Sequence, residues 1–237
     1  MKNLCYRYPD GAAALNGVDF SLLEGEKLAL VGANGSGKST LLTHLAGCIP
    51  LGGTGDILLS GRSVGSDLER LRRVVGLIFQ DPDDQLFMPN VLEDVAFGLV
   101  SRGMEVSQAH RRALAVLETL SAPHLASRLP HRLSGGEKRV VALAGILAMQ
   151  PEIVALDEPS SGLDPRARRR VIEILKALDR PMILATHDLD MALDVCTRAL
   201  VMNQGKIAAE GELPGLLQNE SLLLENGLEL PPRFSAH

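Results

Sequence analysis

Short apolar runs, separated by segments of helical length, set the pattern of this chain. The runs at 27–31, 56–59, 74–79, 153–156, 182–186 and 199–202 are each a few residues long, and several are rich in Val and Ile. Runs of that length between helical stretches predict strands of a mostly parallel sheet with helical crossovers, hence an α/β fold. The beginning differs. Residues 4–8 and 18–23 flank the turn-rich Pro9-Asp10-Gly11, which predicts a small antiparallel β subdomain beside the α/β core.

Between 91 and 121 the pattern turns helical: Ala113, Leu114, Leu117 and Leu120 share one face, and Ser107 is placed to cap the helix that carries them. This block reads as a helical insertion between strand-bearing segments. A second helix is announced by Asp164-Pro165, a capping residue followed by proline in the first turn, with Ala167, Val171, Ile174, Leu175 and Leu178 as its apolar stripe. The arginines at 166, 168, 169 and 170 read as a solvated face.

Composition narrows the class. Apolar residues make up 46% and charged residues 22% of 237 positions, ordinary for a globular chain able to bury a substantial core. A net charge of −5 argues against a nucleic-acid partner held by an overall basic surface. No apolar run approaches the ~20 residues a membrane helix needs, and the first residues carry no secretory core. Cys5, Cys48 and Cys196 have no metal or redox spacing; they suit a reducing cytosol and read as small buried hydrophobes.

The chemistry begins at Gly32-Ala33-Asn34-Gly35-Ser36-Gly37-Lys38-Ser39-Thr40, which fits GxxxxGK[ST] between a predicted strand and a predicted helix. Glycines let backbone amides turn inward around phosphate oxygens, and the helix directs its positive end at the same charge. Lys38 would reach the β- and γ-phosphates of ATP, and the Ser39 hydroxyl would ligate Mg2+. A second motif, Ile153-Val154-Ala155-Leu156-Asp157-Glu158-Pro159, is an apolar strand ending in adjacent carboxylates. Asp157 can hold Mg2+, and Glu158 can orient or deprotonate an attacking water. The third is Leu133-Ser134-Gly135-Gly136-Glu137, where small residues at a helix start offer amides and a hydroxyl to a second anion.

In this order the three motifs resemble those of ATP-binding cassette (ABC) ATPases, over essentially the whole chain up to about Leu213. The resemblance implies a P-loop NTPase core with an antiparallel β subdomain and a helical subdomain at about 82–150. It further implies a nucleotide-binding domain at 1–213; beyond it, the tail at 214–237 carries no recognisable chemistry and is available for dimer contacts. In that family two cassettes associate head to tail, so Ser134, Gly135, Gly136 and Glu137 would serve the partner's ATP. Tyr8 resembles the aromatic that stacks on adenine, with Tyr6 two residues before it. Gln80 resembles the glutamine that senses Mg2+ and the γ-phosphate, and 161–164 the loop communicating between sites. His187 resembles the switch histidine at the γ-phosphate.

The segment Gln80-Asp81-Pro82-Asp83-Asp84-Gln85-Leu86-Phe87 and the following 91–98 resemble energy-coupling-factor (ECF) ATPases, the cobalt and nickel uptake type above all. That implies an ATPase at the cytoplasmic face of the membrane, peripheral to it. Its partners would be a second ATPase subunit (homo- or heterodimer), a transmembrane coupling protein and a substrate-binding membrane component, with Phe87 and Met88 as contacts. An ECF vitamin-uptake ATPase and a soluble ABC ATPase of iron–sulfur cluster assembly are the alternatives. His44, His110, His124, His131, His187 and His237 are dispersed without metal-ligand spacing, so selectivity for the cargo would reside in another subunit.

Overall fold

The computed structural model describes residues 1–50, 54–65 and 67–234; 51–53, Ser66 and 235–237, His237 and the last of the tail among them, lie outside the described residues. In chain order come β1 (Leu4–Arg7), β2 (Ala13–Val18), β3 (Lys27–Val31), α1 (Lys38–Leu45), β4 (Leu58–Leu59), β5 (Arg62–Ser63), α2 (Leu68–Val74) and β6 (Val75–Ile78). Then follow α3 (Val91–Ser101), α4 (Val106–Thr119), α5 (Gly135–Ala148), β7 (Ile153–Asp157), α6 (Pro165–Ala177), β8 (Met182–Thr186) and α7 (Leu189–Val195). The chain continues through β9 (Arg198–Asn203), β10 (Lys206–Glu212), α8 (Leu213–Leu217) and α9 (Glu220–Glu225). These elements divide into two compact units: 1–77, 152–158 and 179 onward form one, 78–151 and 159–178 the other.

The first unit is built on a six-stranded sheet in the order β10-β9-β3-β8-β7-β6. Strand β3 sits inside it, parallel to β8 on one side and β9 on the other. Its Leu28, Ala29, Leu30 and Val31 are wholly buried, as is the Val154–Leu156 stretch of β7. Continuous apolar runs of this kind suit strands covered on both faces, and the expected α/β class with a mostly parallel sheet is the one found.

Differences from the expected elements have local causes. Residues 56–59 contribute no strand to the main sheet; Leu58–Leu59 pairs instead with Arg62–Ser63. Ser60 (φ 49) and Gly61 (φ 76) between them are both left-handed, which suits a two-residue hairpin. Gln204 (φ 46) and Gly205 (φ 75) likewise turn β9 into β10, an edge strand not expected because its Ala, Gly and Glu residues have little β character. In the antiparallel pair, β2 begins at Ala13, directly after the turn, rather than at 18, and Leu4 faces Val18. Of the cysteines only Cys196 is buried; Cys5 is half-buried and Cys48 exposed.

The second unit is helical. In α4 the buried face is Ala109, Ala113 and Leu117. Its cap is Glu105 rather than Ser107: the carboxylate accepts the Gln108 amide at 3.1 Å and also takes the Ser107 hydroxyl. Helix α6 starts as expected, with the Asp164 carboxylate accepting the amides of Arg166 (2.8 Å) and Ala167 (2.9 Å). Its arginine run is not wholly a solvated face, because Arg170 donates to the carbonyls of Leu120 (3.1 Å) and Ser121 (3.2 Å) at the end of α4.

Candidate nucleotide site

In the first unit, strand register gathers the expected chemistry. Val31 pairs with Thr186 at the ends of β3 and β8, and Asp157 pairs with Ala185 across β7 and β8. The loop after β3, the carboxylates after β7 and His187 after β8 therefore leave the sheet side by side at its C-terminal edge. That edge is where open α/β sheets bind ligands.

The loop itself fits a phosphate. A Cβ on Gly32 would lie 2.3 Å from the Met202 carbonyl oxygen, so only glycine lets the chain pass there. Gly35 (φ 78) and Gly37 (φ 108) take the left-handed conformation that turns successive amides to one side. Gly37 leads directly into α1 without a side-chain cap, leaving the first amides of the helix to other acceptors. The Ser36 hydroxyl is buried and has no hydrogen-bond partner among the described residues. Lys38 is also buried, its Nζ donating to the carbonyls of Gly32 (2.8 Å) and Ala33 (3.1 Å). Burial pushes the Lys38 ammonium below its ordinary pKa, against the pull of the Glu158 and Asp157 carboxylates. Asn34 and Ser39 are exposed, whereas Thr40 is buried and bonded through Oγ1 to the Tyr8 hydroxyl at 2.8 Å.

Glu158 is the most constrained member. It is 5% exposed and has φ 45, a left-handed backbone that a residue with a Cβ adopts at a cost of about 1–3 kcal/mol. Its carboxylate accepts the Thr186 hydroxyl (3.1 Å) and the His187 amide (3.1 Å), and lies 2.9 Å from His187 Nδ1. The Glu158 amide donates to the Ala185 carbonyl at 2.9 Å. Thr186, wholly buried, escaped sequence reading; its one signal is a hydroxyl at the end of a strand of apolar residues.

The second unit carries Gln80 and the Leu133–Glu137 segment. At the start of α5, Glu137 and Ser134 form a reciprocal cap: the Ser134 amide donates to Glu137 Oε2 at 2.8 Å, and the Glu137 amide donates to the Ser134 hydroxyl at 3.3 Å. The Ser134 amide holds the Glu137 carboxyl below its ordinary pKa. Packing by itself demands glycine at 136, since its Cβ would meet that of Ala167 at 2.6 Å; Gly135 has Leu163 as its nearest neighbour at 3.7 Å.

Two further residues hold the Gln80 segment. Arg139 on α5, 2% exposed, donates to the carbonyls of Phe79 and Gln80, both at 2.8 Å. Asp94 on α3 accepts the amides of Phe87 (3.0 Å) and Met88 (2.9 Å). A charge inside the apolar run of α5 was the signal for Arg139. Phe87 is 62% exposed, its ring edge-to-face with Phe97 at 4.9 Å, so it does not fill the core of this unit. No group of three or more His, Cys, Asp or Glu able to hold a metal occurs among the described residues. Among those residues no helix is long and apolar enough to cross a membrane.

Known proteins place these features. The family model for ABC transporters matches residues 15–161. A protein of Gloeobacter violaceus carrying the name ABC transporter ATP-binding protein is 51% identical over 98% of this chain and 96% of its own. The energy-coupling factor transporter ATP-binding protein EcfA of Methanothermobacter thermautotrophicus is 40% identical over 98% of this chain and 76% of its own. Among solved structures, cbiO1 of Clostridium perfringens, part of the ABC transporter complex cbiONQ, superposes with a TM-score of 0.82 at 34% identity, covering 94% of this chain and 92% of that one. The cassette MJ0796 in its post-hydrolysis state, bound to ADP and Pi, gives a TM-score of 0.79 at 27% identity, covering 90% and 97%. The chain belongs to the ABC transporter family, as an ATP-binding subunit. It is an ATPase.

Proposed function

We propose that this ATPase drives an ECF-type importer for a transition metal ion, cobalt or nickel, through separate membrane subunits. The observation that carries it is the Gln80–Met88 segment: Arg139 and Asp94 pin it from two helices, and it still offers the Phe87 ring to solvent. A segment adjoining the proposed γ-phosphate sensor Gln80, rigid yet exposed, suits the transfer of a nucleotide-driven movement to a membrane partner. The likeness to EcfA and to cbiO1 supports the same reading, as does the sequence of the segment.

In this reading 1–213 is the nucleotide-binding domain, with its helical subdomain at about 82–150, and 214–237 supplies dimer contacts. Gly32–Thr40 cradles the phosphates and Lys38 neutralises them. Ser39, Asp157 and Gln80 would hold Mg2+, which needs few protein ligands because phosphate oxygens complete its shell. The exposed Ser39 hydroxyl and the buried Asp157 carboxylate suit that donor set. The ion supplies positive charge to the phosphates. Glu158, anchored by Thr186, orients and deprotonates the water, and His187 contacts the γ-phosphate. Tyr8 stacks on adenine. Ser134, Gly135, Gly136 and Glu137 close on the nucleotide of a second ATPase subunit, so hydrolysis follows dimer closure at the cytoplasmic face of the membrane.

The test is ATP-dependent uptake into proteoliposomes holding this chain with ECF-type membrane subunits from the same organism. Accumulation of labelled Co2+ or Ni2+ is the expected result. Uptake of a vitamin instead would establish the vitamin-type ECF alternative. No membrane partner, with stimulation by an iron–sulfur scaffold, would overturn the transport reading.

A further inference from the structure

The chain has two tyrosines and no tryptophan, and both tyrosines stand in one cluster against α1. Tyr6 lies in β1 and Tyr8 directly follows the strand. Tyr6 packs edge-on against the imidazole of His44, centroids 4.4 Å apart, and edge-on against Tyr8 at 5.2 Å. The Tyr8 hydroxyl is 2.8 Å from Thr40 Oγ1, and His44 Nδ1 is 2.7 Å from the Thr40 carbonyl oxygen. The contacts close a circuit: Tyr8 to Thr40, Thr40 to His44, His44 to Tyr6, Tyr6 back to Tyr8.

The chemistry of the circuit is fixed by its most buried member. His44 is 0% exposed. A carbonyl oxygen only accepts, so Nδ1 carries the proton and Nε2, which has no protein partner among the described residues, is bare. Burial pushes the imidazole below its ordinary pKa and keeps it neutral. A neutral ring locked to the Thr40 carbonyl makes a firm wall for Tyr6. Tyr8, by contrast, is held at its hydroxyl and against Tyr6 and is 38% exposed. Thr40 is the last residue of the phosphate loop, so whatever fixes Tyr8 to Thr40 fixes an aromatic surface relative to the phosphate site.

We infer that Tyr6 and His44 are positioning residues for the nucleotide base: they brace Tyr8 against Thr40, presetting the separation between the base platform and the phosphate cradle. The inference rests on the reading of Tyr8 as the adenine stacker. Its physical content is preorganisation, since a platform held in place loses little freedom when a purine settles on it.

Two ligands that differ by the base alone test it: ADP and ribose 5-diphosphate, neither of which is turned over, measured by calorimetry on the whole chain at fixed free Mg2+. Tyr8→Ala should weaken ADP about 5- to 100-fold, the worth of one base stack, and leave ribose 5-diphosphate unchanged. Tyr6→Leu and His44→Asn should weaken ADP about 2- to 10-fold, the worth of an aromatic pair, again without effect on ribose 5-diphosphate. Tyr6→Phe, which keeps the ring, should bind like wild type. In that variant all tyrosine emission comes from Tyr8, and ADP should change it while ribose 5-diphosphate does not. If Tyr8→Ala weakens ADP but Tyr6→Leu and His44→Asn do not, the bracing role is refuted and adenine stacking stands. Equal weakening of both ligands in Tyr6→Leu and His44→Asn would refute bracing too, placing both residues in the general support of the loop. If Tyr8→Ala changes neither ligand, the stacking reading itself falls and the inference with it.

Discussion

Replacing Glu158 by Gln isolates the charge of the proposed water-activating residue from everything else it does. The isostere keeps the Cβ, so the left-handed backbone at φ 45 is equally strained in both proteins. Its remaining oxygen can accept the His187 amide in place of the carboxylate, which now does so at 3.1 Å. Its new amide hydrogens can go to Thr186 Oγ1, a hydroxyl that already accepts the Asp188 amide at 3.0 Å and has a second lone pair to offer. One buried donor then loses its acceptor, the Thr186 hydroxyl hydrogen that the carboxylate now takes at 3.1 Å. That loss, with the difference between charge-assisted and neutral hydrogen bonds, costs about 2–4 kcal/mol in total. For a protein of this size that lowers Tm by about 4–16 °C. A chain with about 5–15 kcal/mol of stability stays folded throughout. Losing a general base should slow hydrolysis about 100- to 10,000-fold, or roughly 3–5 kcal/mol of barrier. Phosphate release in a single turnover, thermal melting and gel filtration with ATP measure the three quantities. Turnover should collapse in a protein that is still folded at the assay temperature, and an ATP-bound dimer should accumulate. Undiminished turnover would refute water activation by Glu158, and a loss of ATP binding parallel to a large fall in Tm would make the residue structural.

Arg139→Met should lower Tm by about 5–15 °C, because two charge-assisted bonds to the Phe79 and Gln80 carbonyls are lost from a buried site. Arg139→Lys should not restore it, since one ammonium does not span two adjacent carbonyls as a planar guanidinium does; a melt equal to wild type in either variant would count against this role. Ser134→Arg should abolish turnover and leave ATP binding to the monomer intact, if the segment serves a second subunit; binding and turnover falling together would contradict that. The folded-state pKa of His44 is lowered by burial, so the unfolded chain takes up this proton first as the solution acidifies. Its contribution to stability is therefore complete above the unfolded pKa of about 6.5 and is lost as pH falls through the folded value, so Tm should decline on acidification, less steeply in His44→Asn.

What could be read in the sequence followed from how local each signal was. A phosphate loop, an apolar strand ending in two carboxylates and a capped glycine pair each announce themselves within about nine residues, because backbone geometry and charge fix them over that span. Strand β3 was read at its observed bounds since five residues buried or nearly so leave no ambiguity of period. Strand β10 was not, because its pattern of half-buried and exposed positions carries few apolar side chains. The cap of α4 was misplaced by two residues: Glu105 and Ser107 both carry oxygens of suitable reach, and only the backbone at Glu105 (φ −62, ψ 138) lies outside the helix.

The unread features of the site are those that need the third dimension. Gly136 looked like a residue kept small for a ligand, yet the 2.6 Å approach of the Ala167 side chain, thirty-one positions away in a different helix, already demands it. That changes what a substitution there can prove. Gly136→Ala would lower Tm through overpacking of α5 against α6, at a cost of about 1–3 kcal/mol, whether or not the segment meets a nucleotide. Gly135, with 3.7 Å to its nearest neighbour, has room for a methyl group in the folded chain. Gly135→Ala should therefore melt near wild type, and any loss of turnover in it reports on what approaches the segment from outside. A normal melt with normal turnover would remove Gly135 from the proposed site, and a Tm lowered as far as in Gly136→Ala would show that the methyl group is not accommodated.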